Sequence, residues 1–151
     1  GGLSLTTRLD RVDMLNDGRL IIIDYKTGES KITTMCGERP DEPQLPLYLL
    51  ASQSDAASAV VFAQVKMGKM KFKALARDND LLPSVKADPE WEQLIVSWRT
   101  DLTRIAESFS KGDAKVSPKK YPETCRNCDL EPFCRISERT EDASAESEDG
   151  A

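Results

Sequence analysis

The sequence predicts an α/β domain in which a mixed β-sheet is flanked by helices, and three stretches carry that prediction. Leu9–Leu15 and Arg19–Gly28 are β-rich runs around Asn16-Asp17-Gly18, a hairpin signature. Val60-Val61-Phe62-Ala63 is apolar without alternation, as in a strand buried on both faces. Trp91, Leu94, Ile95, Trp98, Leu102, Ile105, Ala106 and Phe109 recur at steps of three and four, the stripe of an amphipathic helix.

The hairpin organises the rest. A three-residue loop closes with its last residue in the left-handed region, and Gly18 suits that place. Leu15 then pairs with Arg19, which sets Asp10 directly opposite Asp24, with Cβ atoms about 4.5–5.5 Å apart. Lys26, two residues on, shares their face. A two-residue loop would shift the pairing by one and put the two acids on opposite faces. Facing carboxylates repel unless a cation lies between them. Oxygen-only ligands suit a hard divalent ion, magnesium or manganese, and a lysine alongside can position a water or steady a developing negative charge. The competing reading is an edge hairpin with scattered surface charges. Against it, Asp24 ends the apolar run Leu20–Ile23, and strands bury acids only with partners. Asp13 falls on the other face and reads as a partner for Arg11. The opening strand is expected over about Leu5–Leu15.

The later elements follow in order. Thr27–Arg39 is a polar loop, a natural place for substrate contacts, with Cys36 alone in it. Asp41 or Glu42 starts a helix that runs to about Ser54, with Pro43 near its first position and Pro46 early enough for its missing donor to be tolerated. Gln44 and Tyr48 share a face of it; on their own they read as a capping Gln and a core Tyr. Ser58–Met67 is a strand, Gly68-Lys69 a turn, and Met70–Leu75 an edge strand whose lysines face outward, more as a guard than as a phosphate track. Arg77–Ala87 reads as a linker. Asp88 then caps a helix over 89–111, with Pro89 at the first position and Gly112 closing it.

Composition bounds the partners. The 151 residues suit one domain, and the net charge is −5. Residues 138–151 hold six acids and one base and are expected to form a disordered acidic tail, which leaves 20 bases and 20 acids in residues 1–137. A neutral body must draw any nucleic-acid affinity from local patches and metal; Lys115, Lys119, Lys120 and Arg126 form one candidate patch. No membrane span or secretory signal is present. The chain has no histidine, which excludes a His-metal site or a His-based triad within it. Cys125-x-x-Cys128 followed by Cys134 is a ligand spacing rather than a disulfide pattern, which fits a cytoplasmic compartment. Gly1-Gly2 reads as the start of an excised fragment.

Together the motifs resemble the PD-(D/E)XK nuclease superfamily in its RecB-like branch. They are Thr7-Arg8-Leu9-Asp10, then Asp24-Tyr25-Lys26-Thr27-Gly28, then Gln44-Leu45-Pro46-Leu47-Tyr48. Arg39–Tyr48 and the closing cysteines are similar, more narrowly, to C-terminal nuclease domains of AddB-like bacterial DNA repair proteins. The resemblance implies a restriction-endonuclease-like core in residues 1–137, with a cysteine-containing segment over 113–137. It implies metal-dependent, exonucleolytic hydrolysis of DNA in recombinational repair, with a helicase-type subunit or domain as partner. Asp10, Asp24 and the Tyr25 carbonyl would bind magnesium or manganese, and Lys26 would serve the attacking water or the phosphorane. Gln44 and Tyr48 would border the site. Cys125, Cys128 and Cys134 would join a fourth, upstream cysteine around a 4Fe–4S cluster, a set incomplete here. Thr7 replaces the usual glycine, and no acidic or histidine motif precedes Asp10, so the first core helix is expected to be missing. The alternative is a non-catalytic, nuclease-like module that binds DNA or a helicase-type partner.

Overall fold

A computed structural model describes residues 2–52 and 55–136. The chain divides into two units, Gly1–Lys111 and Gly112–Ala151. The first carries a four-stranded sheet of order β1-β2-β3-β4: Arg11–Met14, Leu20–Lys26, Ala57–Gln64 and Lys71–Ala76. β1 and β4 run antiparallel to their neighbours, while β2 and β3 are parallel and joined through helix α1, Gln44–Ser52. A parallel pair needs such a crossover, because a tight turn can join only antiparallel strands. The sheet is therefore mixed, as expected.

The hairpin forms in the expected register. Arg11 stands opposite Ile23 and Met14 opposite Leu20. Leu15 and Arg19 close the loop through a 2.8 Å backbone bond, and Gly18 sits at φ 85°. The first strand is shorter than expected: regular pairing begins at Arg11, and residues 5–9 form no strand. Arg11 Nε bonds Asp13 Oδ1 at 2.6 Å, the partnership anticipated for that acid.

The two faces of the sheet are covered differently. Ile22, Val60, Phe62 and Leu75 pack in one cluster with Leu45, Tyr48 and Leu49 of α1 and with Trp91 and Trp98 of α2, Trp91–Ser110. Trp98 is buried to its indole nitrogen, which donates to the Met35 carbonyl at 2.7 Å. Each such large apolar side chain contributes about 1.5–3 kcal/mol by burial. Met35 ends a 3-10 turn, Ile32–Met35, within the stretch expected to be an irregular polar loop. The other face carries Ile21, Ile23, Ala59, Val61, Ala63 and Ala76, and it is covered by Leu81, Leu82 and Val85. The stretch expected to be a linker is thus a structural cover. It is pinned at both ends, by Arg77 N to Ser58 O and by Asp88 N to Ala76 O, each at 2.7 Å.

Helix α2 starts at Trp91 rather than Pro89. The Asp88 side chain still takes the Glu90 N–H at 2.9 Å, so the capping residue acts one turn earlier than the helix proper. At the far end Phe109 is 73% exposed, so the apolar stripe reaches past the part of the helix that the core covers. Among the described residues no helix precedes β1, and none is long and apolar enough to cross a membrane.

Among the described residues of the second unit are a 3-10 turn, Glu123–Cys125, and a short helix, α3, Glu131–Cys134. The acidic stretch 138–151 lies outside the described residues.

Candidate active site

The site forms where β2 leaves the sheet. Asp24 is 2% exposed, the last buried residue of that strand. Asp10 lies one position beyond the regular ladder and is exposed. Instead of a strand bond it uses its carboxylate: Oδ2 accepts the Tyr25 N–H at 3.1 Å. That bond fixes the acid beside the residue next to Asp24. Lys26 Nζ lies 2.9 Å from Asp24 Oδ2, 3.4 Å from Gln44 Oε1 and 3.7 Å from Glu42 Oε1, and over the Phe62 ring at 5.4 Å from its centre. Burial works against the Lys26 charge. The close contact with Asp24, with the charges of Asp24, Glu42 and Asp10, outweighs burial and holds the lysine above its usual range. One ammonium therefore responds to three carboxylates.

The Asp24–Lys26 contact is close but poorly aligned. Asp24 Oδ2 is sealed from solvent and makes no hydrogen bond of acceptable geometry, so charge alone holds it. A buried carboxylate oxygen costs free energy unless a cation satisfies it, and the Lys26 ammonium at 2.9 Å takes that place.

Gln44 and Tyr48 join the site through a chain of bonds. Lys26 Nζ donates to Gln44 Oε1, Gln44 Nε2 donates to Tyr48 Oη at 2.7 Å, and the Tyr48 hydroxyl donates to the Arg8 carbonyl at 2.6 Å. Helix spacing puts the two side chains on one face, and the tyrosine reaches across to the segment that carries Asp10. The pair is thus neither a cap nor plain core. A hollow of about 510 Å³ opens beside it, walled by Arg8, Lys26, Glu42, Gln44 and Tyr48.

Glu42 was not among the expected site residues, having been read only as a helix start. Its Oε2 accepts the Thr34 hydroxyl at 2.6 Å, which aims the other oxygen toward Lys26. Its position two residues before Gln44 was the available signal.

Asp10, Asp24 and the Tyr25 carbonyl offer oxygen alone, with no imidazole among them. The sealed Asp24 oxygen, which meets the Lys26 ammonium without an aligned hydrogen bond, and its acidic neighbour fit a hard divalent cation. They are two carboxylates and a main-chain oxygen rather than a cage of acids; among the described residues no three Cys, Asp or Glu side chains are grouped to hold a metal ion. The same finding bears on Cys125, Cys128 and Cys134. They stand on a 3-10 turn, in an exposed stretch and at the end of α3, and they do not converge, so a 4Fe–4S cluster has no support here. Cys36, in the other unit, is turned inward toward the Ile32 carbonyl at 3.8 Å. Of the suggested basic patch, Lys120 is paired with Glu123 at 3.2 Å.

A family model described as the PD-(D/E)XK nuclease superfamily matches residues 1–135, and the chain belongs to that superfamily. Its mixed sheet with helices agrees with the restriction-endonuclease-like fold of that group. Members of the superfamily are usually nucleases that act with divalent metals such as magnesium. No curated protein and no solved structure matches the chain.

Proposed function

We propose that this chain is a magnesium- or manganese-dependent deoxyribonuclease domain of the RecB/AddB-like branch. In this reading it hydrolyses DNA phosphodiester bonds from an end, in cytoplasmic repair and recombination, beside a helicase-type subunit or domain. The observation that carries the reading is the gathering of Asp10, Asp24 and Lys26 at one strand end, with an Asp24 oxygen sealed from solvent against the Lys26 ammonium.

Asp10, Asp24 and the Tyr25 carbonyl would hold the ion. Bound there, it would make a water nucleophilic and offset the charge of the phosphate. Lys26 supplies a fixed donor. Its ammonium either orients the attacking water or bonds a phosphate oxygen as the new P–O bond forms and the ester oxygen leaves. Gln44 holds that ammonium in place, and Tyr48 holds the Arg8–Asp10 segment against β2. These two are positioning residues in the reading.

The test uses labelled single- and double-stranded DNA with magnesium, and compares the wild type with Asp24→Ala and Lys26→Ala. Each variant is expected to lose at least about a hundredfold in cleavage rate. Equal, metal-independent behaviour of all three would defeat the reading and leave a non-catalytic binding module. A second readout needs no activity. Magnesium at about a hundred times its Kd should stabilise the wild type by about 2.7 kcal/mol in thermal melts and leave Asp24→Ala unchanged.

A further inference from the structure

Tyr25, Ala63 and Phe72 form one row across three neighbouring strands, Tyr25 paired with Ala63 and Ala63 with Phe72. Paired residues share a face of the sheet, and Ala63 belongs to the core under the 77–88 loop. Both rings therefore rise on the face opposite Asp24 and Lys26. Two strand spacings separate their Cα atoms by about 9.5 Å, with one methyl group between them. Stacked rings prefer centroids about 4.5–7 Å apart, so side chains rising from backbone positions this far apart are compatible with one planar ring between them. Tyr25 is 47% and Phe72 42% exposed, and the two wall a hollow of about 470 Å³ with Met70 and Pro83 at its rim. Arg11 Nη1 donates to the Tyr25 hydroxyl at 3.2 Å, which fixes one wall.

The charge beside this hollow is one-sided. Residues 65–72 are all exposed and contain Lys66, Lys69 and Lys71 but no acid, in a chain of net charge −5. Among the described residues none of the three ammonium groups has a carboxylate partner. The only lysine of β4 tied down is Lys73, which donates to the Ser30 carbonyl. Of the two β4 lysines expected to face outward, Lys73 is instead part-buried against the Ser30 carbonyl, and the tip of the hairpin is left uncommitted. The hollow and the carboxylates lie on opposite faces but share one rim, the C-terminal ends of β2 and β3, where open α/β sheets take their ligands.

We propose that the hollow is a slot for one unpaired nucleobase of single-stranded nucleic acid, stacked between Tyr25 and Phe72, with its neighbouring phosphates held by Lys66, Lys69 and Lys71. The slot rests on the nuclease reading above and adds a strand preference to it. A base inside a duplex is already stacked and paired and cannot enter. A single strand would run over the rim, from the slot on one face to the carboxylates on the other.

The experiment measures binding by the full chain, in chelator and without metal, to a single-stranded oligonucleotide carrying a fluorescent adenine analogue. The analogue is expected to be quenched on binding. Phe72→Ala should weaken binding about tenfold, and Phe72→Trp should restore it. Replacing Lys66, Lys69 and Lys71 together by Ala should weaken binding and flatten its dependence on salt. Wild-type affinity in a folded Phe72→Ala variant, an unquenched analogue, or tighter binding of the annealed duplex would each overturn the slot. Failure of the two readings is separable. Binding that depends on Phe72 without any metal-dependent cleavage removes the nuclease and keeps the slot; cleavage with binding indifferent to Phe72 does the reverse.

Discussion

The two faces of the sheet are backed differently. One carries Ile22, Val60, Phe62 and Leu75 beneath two helices; the other carries Ile21, Ile23 and Val61 with Ala59, Ala63, Ala74 and Ala76 beneath an irregular loop. Large side chains against helices lock one another into single rotamers, and this face also positions Asp24 and Lys26. On the loop-backed face only Ala63 lies between β2 and β4 at the rim, and there the exposed rings of Tyr25 and Phe72 stand. Rigid backing thus coincides with the groups that need fixed geometry, and loose backing with the surface that must admit a ligand.

That contrast is open to direct attack. The largest expected effect is on the helix-backed face. Trp98→Ala should cost about 3–5 kcal/mol in chemical denaturation, because it empties a sealed position and orphans the Met35 carbonyl. Leu82→Ala, on the loop-backed face and only half-buried, should cost roughly 1–2 kcal/mol, below the full-burial range. Equal costs would break the comparison. Next in size, Tyr48→Phe keeps the packed ring and removes the hydroxyl that donates to the Arg8 carbonyl and accepts from Gln44, so stability should fall by about 1–2 kcal/mol. Cleavage should fall further than that figure implies if the bond positions Asp10. Matching losses in both would reduce Tyr48 to plain structure.

The smallest effect concerns Cys36. Burial, and secondarily the charge of Asp88, push its thiol above the usual range, so less of it is thiolate at a given pH. Exposed Cys128 should therefore react with a thiol reagent at pH 8 well before Cys36 does. Because Cys36 packs against the helix-backed core, Trp98→Phe should speed its labelling and Leu82→Ala should leave it unchanged.

How much of this was legible in the chain depended on the range of the signal. The hairpin register was, because Gly18 and a three-residue turn fix it locally and every paired residue follows by alternation. The α2 stripe was, because its tryptophans recur at helical spacing. Met35 was not: Ile32 and Met35 in an otherwise polar stretch are too few to show a period, and the Trp98 bond to the Met35 carbonyl reveals why this turn is buried. The cover formed by Leu81, Leu82 and Val85 was missed for the same reason. Glu42 was missed because its neighbour Lys26 is distant in the chain and is brought to it by the crossover. The cysteines mark the converse case: their close spacing in sequence reads as a ligand set, yet among the described residues no three of them are grouped to hold a metal ion.

Asp10 stands outside the strand ladder, held by the Tyr25 amide and, through Arg8, by one tyrosine hydroxyl. Its anchorage is therefore weaker than that of the sheet it serves, and on warming the N-terminal segment should fray while the strands and helices stay intact. Heat inactivation should then run ahead of the global melt, so that catalysis would fade in a molecule still folded by every spectroscopic measure.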